Sequence, residues 1–177
     1  MTRLARLRPR PRRRWLAASS IVAAVVLAVV VLASPFMINS ISMSSTIQPG
    51  EVVLVDRVST ALSLQRGEII VFHPPGSTSG GSFIKRVIGL GGDHISITNG
   101  FVYVNGRQLD EPYLALNTVT LTKVWDFETT VPAGSVFVLG DDRWESWDSR
   151  AYGSVPRANI IGRAWVVLSP SFSLAAL

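Results

Sequence analysis

Residues 95–109 read ISITNGFVYVNGRQL, and this stretch carries the clearest local signal for the fold. Apolar and polar residues alternate on both sides of Asn99-Gly100, and a second turn signal follows at Asn105-Gly106. Alternation with a period of two is typical of half-buried strands. Asn-Gly supplies the positive φ angles that a two-residue hairpin turn requires. The stretch therefore predicts a β-meander.

Short runs rich in Val and Ile lie on both sides of this meander and are bounded by turn residues. They predict further strands at residues 51–57, 67–73, 83–90, 119–124, 135–139 and 160–168. No segment after residue 38 has a long periodicity of 3.6 residues, which a substantial helix would show. We therefore predict a mainly β fold, in which residues 99–131 form a small accessory insertion.

The segment before the predicted strands has a different character. Residues 15–38, WLAASSIVAAVVLAVVVLASPFMI, contain no charge over 24 positions, and a spanning helix needs about 20 apolar residues. Seven Arg precede this segment within residues 1–14, which predicts a cytoplasmic N-terminus. We predict a basic tail at 1–14, a single-pass plasma-membrane anchor at 15–38 and an extracytoplasmic catalytic domain at 39–177.

A removed secretory signal is the competing interpretation of the same segment. Val31-Leu32-Ala33 ends in the small residue that such a cleavage site needs. However, the apolar run exceeds the roughly 7 to 15 residues of a signal core, and Pro35 lies just past the cut. We favour a retained anchor, and N-terminal sequencing of membrane-extracted protein would distinguish the two.

The charge balance and the residue types that are absent exclude several functions. Outside residues 1–14 the chain has 10 basic and 12 acidic residues, so the net charge of +5 belongs to the tail. We therefore predict no nucleic-acid partner. The chain has no Cys and two His, which excludes disulfides, thiolate metal sites and a Cys nucleophile. We predict neither a metal nor another cofactor.

Two residues, one just past the apolar run and one inside a predicted strand, could form a catalytic pair. Ser42 lies in PFMINSISMSSTIQPG, residues 35–50, four residues beyond the last apolar residue of the predicted anchor. Lys85, one of two Lys in the chain, lies in an apolar strand. A buried Lys can lose its proton, whereas Arg cannot near neutral pH. The two residues could form a Ser-Lys dyad for amide hydrolysis; a surface Ser and a snorkelling Lys are the alternative.

Four segments, in this order behind one predicted anchor, resemble the conserved boxes of bacterial type I signal peptidases. They are SISMSST at 40–46, RGEIIVF at 66–72, IKRVIGLGGD at 84–93 and GDDRWESWDSR at 140–150. The resemblance implies a signal-peptidase or LexA-like β fold with a reduced accessory region. It also implies a membrane-bound serine endopeptidase that removes signal peptides from exported preproteins after an Ala-X-Ala-like site, working at the lipid bilayer.

The resemblance further assigns roles to individual residues. It makes Ser42 the nucleophile and Lys85 the general base. The hydroxyl of Ser40 and the backbone N–H of Ser42 would form the oxyanion hole. The supporting residues would be Ser146, which orients the base by a hydrogen bond, and the ion pair of Asp148 with Arg150.

The resemblance also implies two shallow apolar pockets for the peptide. Met43, Ile47, Phe83 and Ile84 would line the pocket for the small residue before the cut. Phe36, Ile38 and Ile84 would line the pocket for the third residue back. Walls of Ile, Met and Phe accept Ala and reject larger side chains without any charge recognition.

This sequence departs from the family pattern at five positions. The family commonly has Pro at the positions of Asn39, Ser45 and Gly91, and Asn at those of Asp142 and Glu145. None of these differences removes a catalytic group, so they bear on rate and pH optimum more than on the reaction type.

Two other functions fit part of the pattern. LexA-like autoproteases use the same dyad, but they carry a DNA-binding part for which the 14-residue tail leaves no room. An anchored β domain that only binds, with Ser42 and Lys85 incidental, is the second. A peptide-cleavage assay separates that domain from a protease.

Overall fold

The computed structural model describes residues 33–57, 63–77, 80–114, 126–169 and 174–177. The chain divides into two compact units, Met1–Leu32 and Ala33–Leu177, and all described residues belong to the second unit. Within these ranges no helix has the length and apolar character needed to cross a bilayer. The predicted strand at 119–124 lies outside the described residues.

Twelve strands make up most of the regular structure in the described part of the chain. In chain order they are β1 (Ala33–Met37), β2 (Val52–Asp56), β3 (Ile69–Phe72), β4 (Phe83–Leu90), β5 (His94–Thr98), β6 (Phe101–Val104), β7 (Arg107–Gln108), β8 (Phe127–Thr130), β9 (Ser135–Leu139), β10 (Val155–Pro156), β11 (Ile160–Leu168) and β12 (Leu174–Ala176). One helical turn, α1 (Ser149–Tyr152), follows β9. The prediction of a mainly β fold is confirmed.

Eight of these strands form an antiparallel sheet with the order β1-β2-β11-β3-β4-β9-β10, and β12 pairs with β11. The long β11 joins β2 to β3, so strands far apart in sequence become neighbours. Strand β4 lies inside the sheet between β3 and β9, and its six central residues are buried. Neighbouring residues of β4 point to opposite faces, so Lys85 and Arg86 lie on different sides of the sheet. Both are buried.

The other four strands form a smaller antiparallel sheet with the order β7-β6-β5-β8. Both predicted Asn-Gly turns are present, since Asn99 and Asn105 have φ of 52° and the glycines after them also have positive φ. This sheet begins with β5 at His94, so the predicted start of the accessory insertion at residue 99 is wrong. The reason is that β5 pairs with β6 and β8, which makes it part of the accessory sheet.

The predicted end of the anchor at residue 38 is also wrong. Residues 33–37 form β1, which pairs with β2 from Ala33 opposite Asp56 to Met37 opposite Val52. Strand β1 is an edge of the sheet, where Pro35 is tolerated although it has no N–H to donate. A short apolar strand that follows an apolar run cannot be separated from it by composition. Residues 15–32, the rest of the predicted anchor, lie outside the described residues.

The buried side chains of the described residues include a cluster that supports the segment around Ser42. Its members are Ile38, Met43, Ile47, Val53, Val55, Ile69, Val71, Ile84, Ala164 and Val167. A second cluster, centred on Ile88, Ile95 and Phe137, joins the smaller sheet to the larger one. Full burial of each large apolar side chain contributes about 1.5 to 3 kcal/mol, so the segment after β1 rests on well-packed side chains.

Candidate active site

The segment that carries Ser42 is a series of tight turns between β1 and β2. Its backbone bonds include Ser44 N–H to Ile41 O at 2.8 Å and Ile47 N–H to Met43 O at 2.7 Å. The turns direct the side chains of Met43 and Ile47 into the core, where both are fully buried. Ser42 itself is 3% exposed.

The loop after β9 fastens this turn segment by polar contacts. The backbone N–H of Asp142 donates to Ser42 O at 3.1 Å, and the Ser44 hydroxyl donates to the Asp142 carboxylate at 3.2 Å. Ser45 Oγ donates to Asp141 O at 3.4 Å. Two of the departures from the family pattern, Ser45 and Asp142, therefore contribute hydrogen bonds that hold the segment in place.

Lys85 enters the same site from the middle of β4. Its Nζ atom lies 2.7 Å from Ser42 Oγ and 2.9 Å from Ile84 O, and the residue is 3% exposed. Burial lowers the Lys85 pKa from 10.5 to about 8, although Asp148 and Asp141 oppose this change by favouring the charged amine. A substantial fraction of Lys85 is thus neutral in mildly alkaline solution, and a neutral amine can accept the proton of a hydroxyl 2.7 Å away.

Ser40 lies beside Ser42 on the solvent side of the turn. The Ser42 backbone N–H donates to Ser40 Oγ at 3.2 Å. The two groups that the resemblance assigns to the oxyanion hole are therefore neighbours and bond to each other in this structure. A substrate oxygen that entered between them would accept hydrogen bonds from the Ser42 N–H and from the Ser40 hydroxyl.

Asp148 and Arg150 form an ion pair, and the Asp148 charge acts on the Lys85 amine. The Arg150 Nε and a terminal guanidinium nitrogen each lie 2.8 Å from an Asp148 oxygen. Asp148 is fully buried and also accepts the Gly140 N–H at 3.0 Å, while Arg150 donates to Arg143 O at 2.8 Å. The pair therefore ties α1 to the loop that contacts Ser42.

The prediction that Ser146 hydrogen-bonds Lys85 is wrong for this structure. The Ser146 hydroxyl is buried and has no hydrogen-bond partner among the described residues. It packs so close to Gly140 that a Cβ atom built at position 140 would overlap with it. Because Gly140 has no side chain, the Ser146 hydroxyl can lie against the loop backbone at this point. The Lys85 amine donates to Ser42 Oγ and Ile84 O instead.

Sequence reasoning missed a second polar cluster on the other face of β4. Arg86 donates to both oxygens of Asp141, at 2.9 and 2.6 Å, and the Tyr113 ring lies 3.8 Å from its guanidinium carbon. Glu111 pairs with the buried Arg143. The signal that could have revealed this cluster is Arg86, because a charged residue inside an apolar strand requires a buried partner.

A cleft of about 620 Å³ opens above Ser42 and Lys85. Its lining residues are Pro35, Phe36, Met37, Ile38, Asn39, Ser40, Ser42, Ser82, Phe83, Ile84, Lys85, Glu145 and Trp147. Four of the six residues predicted for the peptide pockets, Phe36, Ile38, Phe83 and Ile84, are among them. Met43 and Ile47 are not among these lining residues, since the turns after β1 bury both in the core, and their role in a peptide pocket stays a prediction.

Comparisons with known proteins identify similar chains. A family model described as signal peptidase, peptidase S26, matches residues 12–169. Signal peptidase I U of Bacillus subtilis is 41% identical over 143 residues, which cover 77% of this chain and 75% of the relative. A probable signal peptidase I-2 of Synechocystis is 37% identical over 170 residues, which cover 90% of this chain and 76% of the relative.

A solved structure is similar as well. The crystal structure of a signal peptidase I from Enterococcus faecalis superposes with a TM-score of 0.51 at 37% sequence identity. The superposition covers 57% of this chain and 96% of the other chain. Family model, curated relatives and solved structure agree, and the chain therefore belongs to the signal peptidase family, peptidase S26.

Proposed function

We propose that this chain is a membrane-anchored serine endopeptidase that removes the signal peptides of exported preproteins, with Ser42 as nucleophile and Lys85 as general base. The observation that carries the proposal is the 2.7 Å contact between Ser42 Oγ and the buried Lys85 amine. Membership of the signal peptidase family supports the substrate class.

The reaction follows from the position of the two side chains. The neutral Lys85 amine removes the Ser42 hydroxyl proton while Oγ attacks the carbonyl carbon of the scissile bond. The Ser42 N–H and the Ser40 hydroxyl stabilise the oxyanion that forms. The Lys85 ammonium then protonates the leaving amine, and an acyl-enzyme remains on Ser42. Lys85 activates a water molecule in the same way, which releases the signal peptide and restores Ser42.

The lining of the cleft supports cleavage after small residues. Ile38 and Ile84 are buried and belong to the packed core, so the floor of the cleft is rigid and apolar. A packed apolar wall gains little from accommodating a larger side chain and must deform to admit it. We propose that these walls select an Ala-X-Ala-like site, in which the first and third residues face the floor.

The sequence before β1 supports a position at the membrane surface. Residues 15–32 contain no charge and follow seven Arg, the pattern of a plasma-membrane anchor with a cytoplasmic N-terminus. Ser42 lies ten residues past this segment. A signal peptide presents its cleavage site where it leaves the bilayer, so a nucleophile held there meets it at a high effective concentration.

Peptide cleavage by matched variants tests this function. Ser42→Ala and Lys85→Ala should each lower turnover of an Ala-X-Ala peptide by at least about 1000-fold, because they remove the nucleophile and the base. Lys85→Arg should be equally inactive, since Arg retains its proton. Turnover is measured by mass spectrometry, with circular dichroism as the control for folding. Near-normal cleavage by any of these variants would exclude the dyad, and no cleavage by the wild type would favour a domain that only binds.

A further inference from the structure

The charges that line the cleft are few. Among the described residues that border it, Lys85 and Glu145 have ionisable side chains. Lys85 acts as a neutral amine in the proposed reaction, so the Glu145 carboxylate is the fixed charge that the cleft presents to a bound peptide. Asp141 and Asp148 are the carboxylates that act on the Lys85 pKa, and Glu145 is not one of them. The Glu145 carboxylate is therefore placed to act on the peptide.

Glu145 is available for such a contact. The residue is exposed, and its carboxylate has no partner among the residues that the structure describes. Its backbone N–H donates to Asp142 Oδ1 at 3.1 Å, which holds the main chain at this point of the loop. An acceptor on a fixed main chain, with its side chain free, is suited to pair with a cation from outside the protein.

Trp147 lies two residues further along the same loop and also borders the cleft. The residue is 58% exposed. Edge-to-face contacts hold the ring against Phe83 and Tyr152, at centroid distances of 5.7 and 5.4 Å. A carboxylate and an aromatic ring that border the same cleft favour an ammonium or guanidinium group, because the carboxylate pairs with its charge and the ring attracts it through its π electrons.

We propose that Glu145 and Trp147 form a subsite for a basic side chain at the middle position of the Ala-X-Ala site. This inference rests on the proposed function. Side chains of an extended peptide alternate in direction. When the first and third residues face the apolar floor at Ile38 and Ile84, the middle residue points to the mouth of the cleft. Glu145 and Trp147 border the cleft and are exposed, so a long basic side chain at the middle position is the one suited to contact them.

The proposal predicts a charge preference that the family pattern does not. An Asn at position 145, the residue of the family pattern that the sequence resembles, would be a neutral amide, which does not distinguish a basic from an acidic side chain by charge. The preference would therefore be a property of chains with a carboxylate here. An exposed ion pair together with a cation–π contact corresponds to a preference of about threefold to tenfold.

The test compares three peptides that differ only in the middle residue: Lys, Gln or Glu. The full-length chain in detergent should cleave the Lys peptide with a kcat/KM about threefold to tenfold above that of the Glu peptide. Glu145→Gln should bring this ratio close to one, and 0.5 M NaCl should reduce it in the wild type. Trp147→Leu, which retains an apolar contact with Phe83, should lower the ratio of Lys to Gln.

Glu128→Gln is the matched control, because Glu128 lies on β8 with its side chain 71% exposed and does not border the cleft. This variant should keep the wild-type ratio. Equal ratios in the wild type and Glu145→Gln would overturn the inference while leaving the proposed function intact. A Lys preference at the first residue after the cut, with none at the middle position, would overturn the assigned position. Failure of the wild type to cleave the Gln peptide would overturn the proposed function and this inference together.

Discussion

At the scale of single residues, the sequence indicated which side chains could react but not their surroundings. Lys85 was notable because it is one of two Lys in a chain with 15 Arg and lies in an apolar strand. Its 2.7 Å contact with Ser42 depends on pairing between β4 and strands distant in sequence. The same pairing buries Arg86 against Asp141. Local sequence patterns carry no information about such contacts, so the Arg86 cluster and the position of Ser146 were missed.

Burial of Lys85 should cost the protein stability, and Lys85→Met should remove this cost. The Lys85 pKa falls from 10.5 to about 8 in the folded state, and one pKa unit corresponds to about 1.4 kcal/mol. Below pH 8 both states carry the charge, and the folded state bears the whole penalty of about 3 kcal/mol. Between pH 8 and 10.5 the unfolded state binds more protons, so stability rises with pH and the penalty fades.

Thermal unfolding of the wild type and Lys85→Met at several pH values measures this difference. We expect the variant to be more stable by up to about 3 kcal/mol at pH 7 and by much less near pH 10.5. Arg107→Met, which replaces an exposed cation on β7, should change stability by less than about 0.5 kcal/mol. A Lys85→Met protein that is less stable than the wild type at pH 7 would mean that desolvation does not dominate the environment of Lys85.

At the scale of elements, strands with a clear local pattern were predicted well, whereas the edge strand β1 was not. Strands β4, β9 and β11 have the predicted bounds, because each is a run of apolar residues between turn signals. Strand β1 was assigned to the anchor, because its residues continue the apolar run before it. The full burial of Met43 and Ile47 was not predicted, because nothing in a series of turns indicates which side chains point inward.

Gly140→Ala should impair catalysis by moving the turn that holds Ser42. A Cβ atom at position 140 would lie 2.5 Å from the backbone oxygen of Ser42 and would also overlap with Ser146. Backbone cannot rotate away as a flexible side chain can, so the turn must shift, and a shift of about 1 Å at a nucleophile costs roughly 100-fold in rate. We expect kcat to fall by about that factor, with a smaller change in KM.

Gly89→Ala is the matched control for this prediction. The added Cβ would lie 2.6 Å from the end of the Ile95 side chain, between the two sheets. Because that side chain can adopt another rotamer, the variant should lose some stability but keep its kcat. Steady-state kinetics and thermal melts of both variants measure the contrast. Equal loss of kcat in the two variants would mean that Gly140 has no special relation to Ser42.

At the scale of the whole molecule, the sequence predicted the class of fold but not the arrangement of its strands. The order β1-β2-β11-β3-β4 brings residues 52–56 next to residues 163–168, and no local pattern indicates a pairing over such a distance. The second compact unit begins at Ala33, whereas the uncharged run predicted that the catalytic domain begins at residue 39.

A chain that begins at residue 33 should separate the chemistry from the encounter with the membrane. All twelve described strands lie after this point, so we expect residues 33–177 to fold and to cleave a soluble Ala-X-Ala peptide at a rate close to that of the full chain. Compared with the full chain, this shortened chain should cleave a preprotein inserted in vesicles at least about 100-fold more slowly, because it lacks the anchor proposed for residues 15–32 and with it the effective concentration. Parallel assays on both substrates measure this, and equal loss on both would contradict a purely positional role for residues 1–32.

The most direct test of the Ser42–Lys85 dyad is the dependence of kcat/KM on pH for the wild type with a neutral Ala-X-Ala peptide. The pH profile of kcat/KM reports the pKa of the essential base in the free enzyme, and the structure gives Lys85 a pKa of about 8. We predict that kcat/KM falls about tenfold for each pH unit below pH 8 and levels off above it. A profile that stays flat down to pH 6 would contradict the assignment of Lys85 as the base.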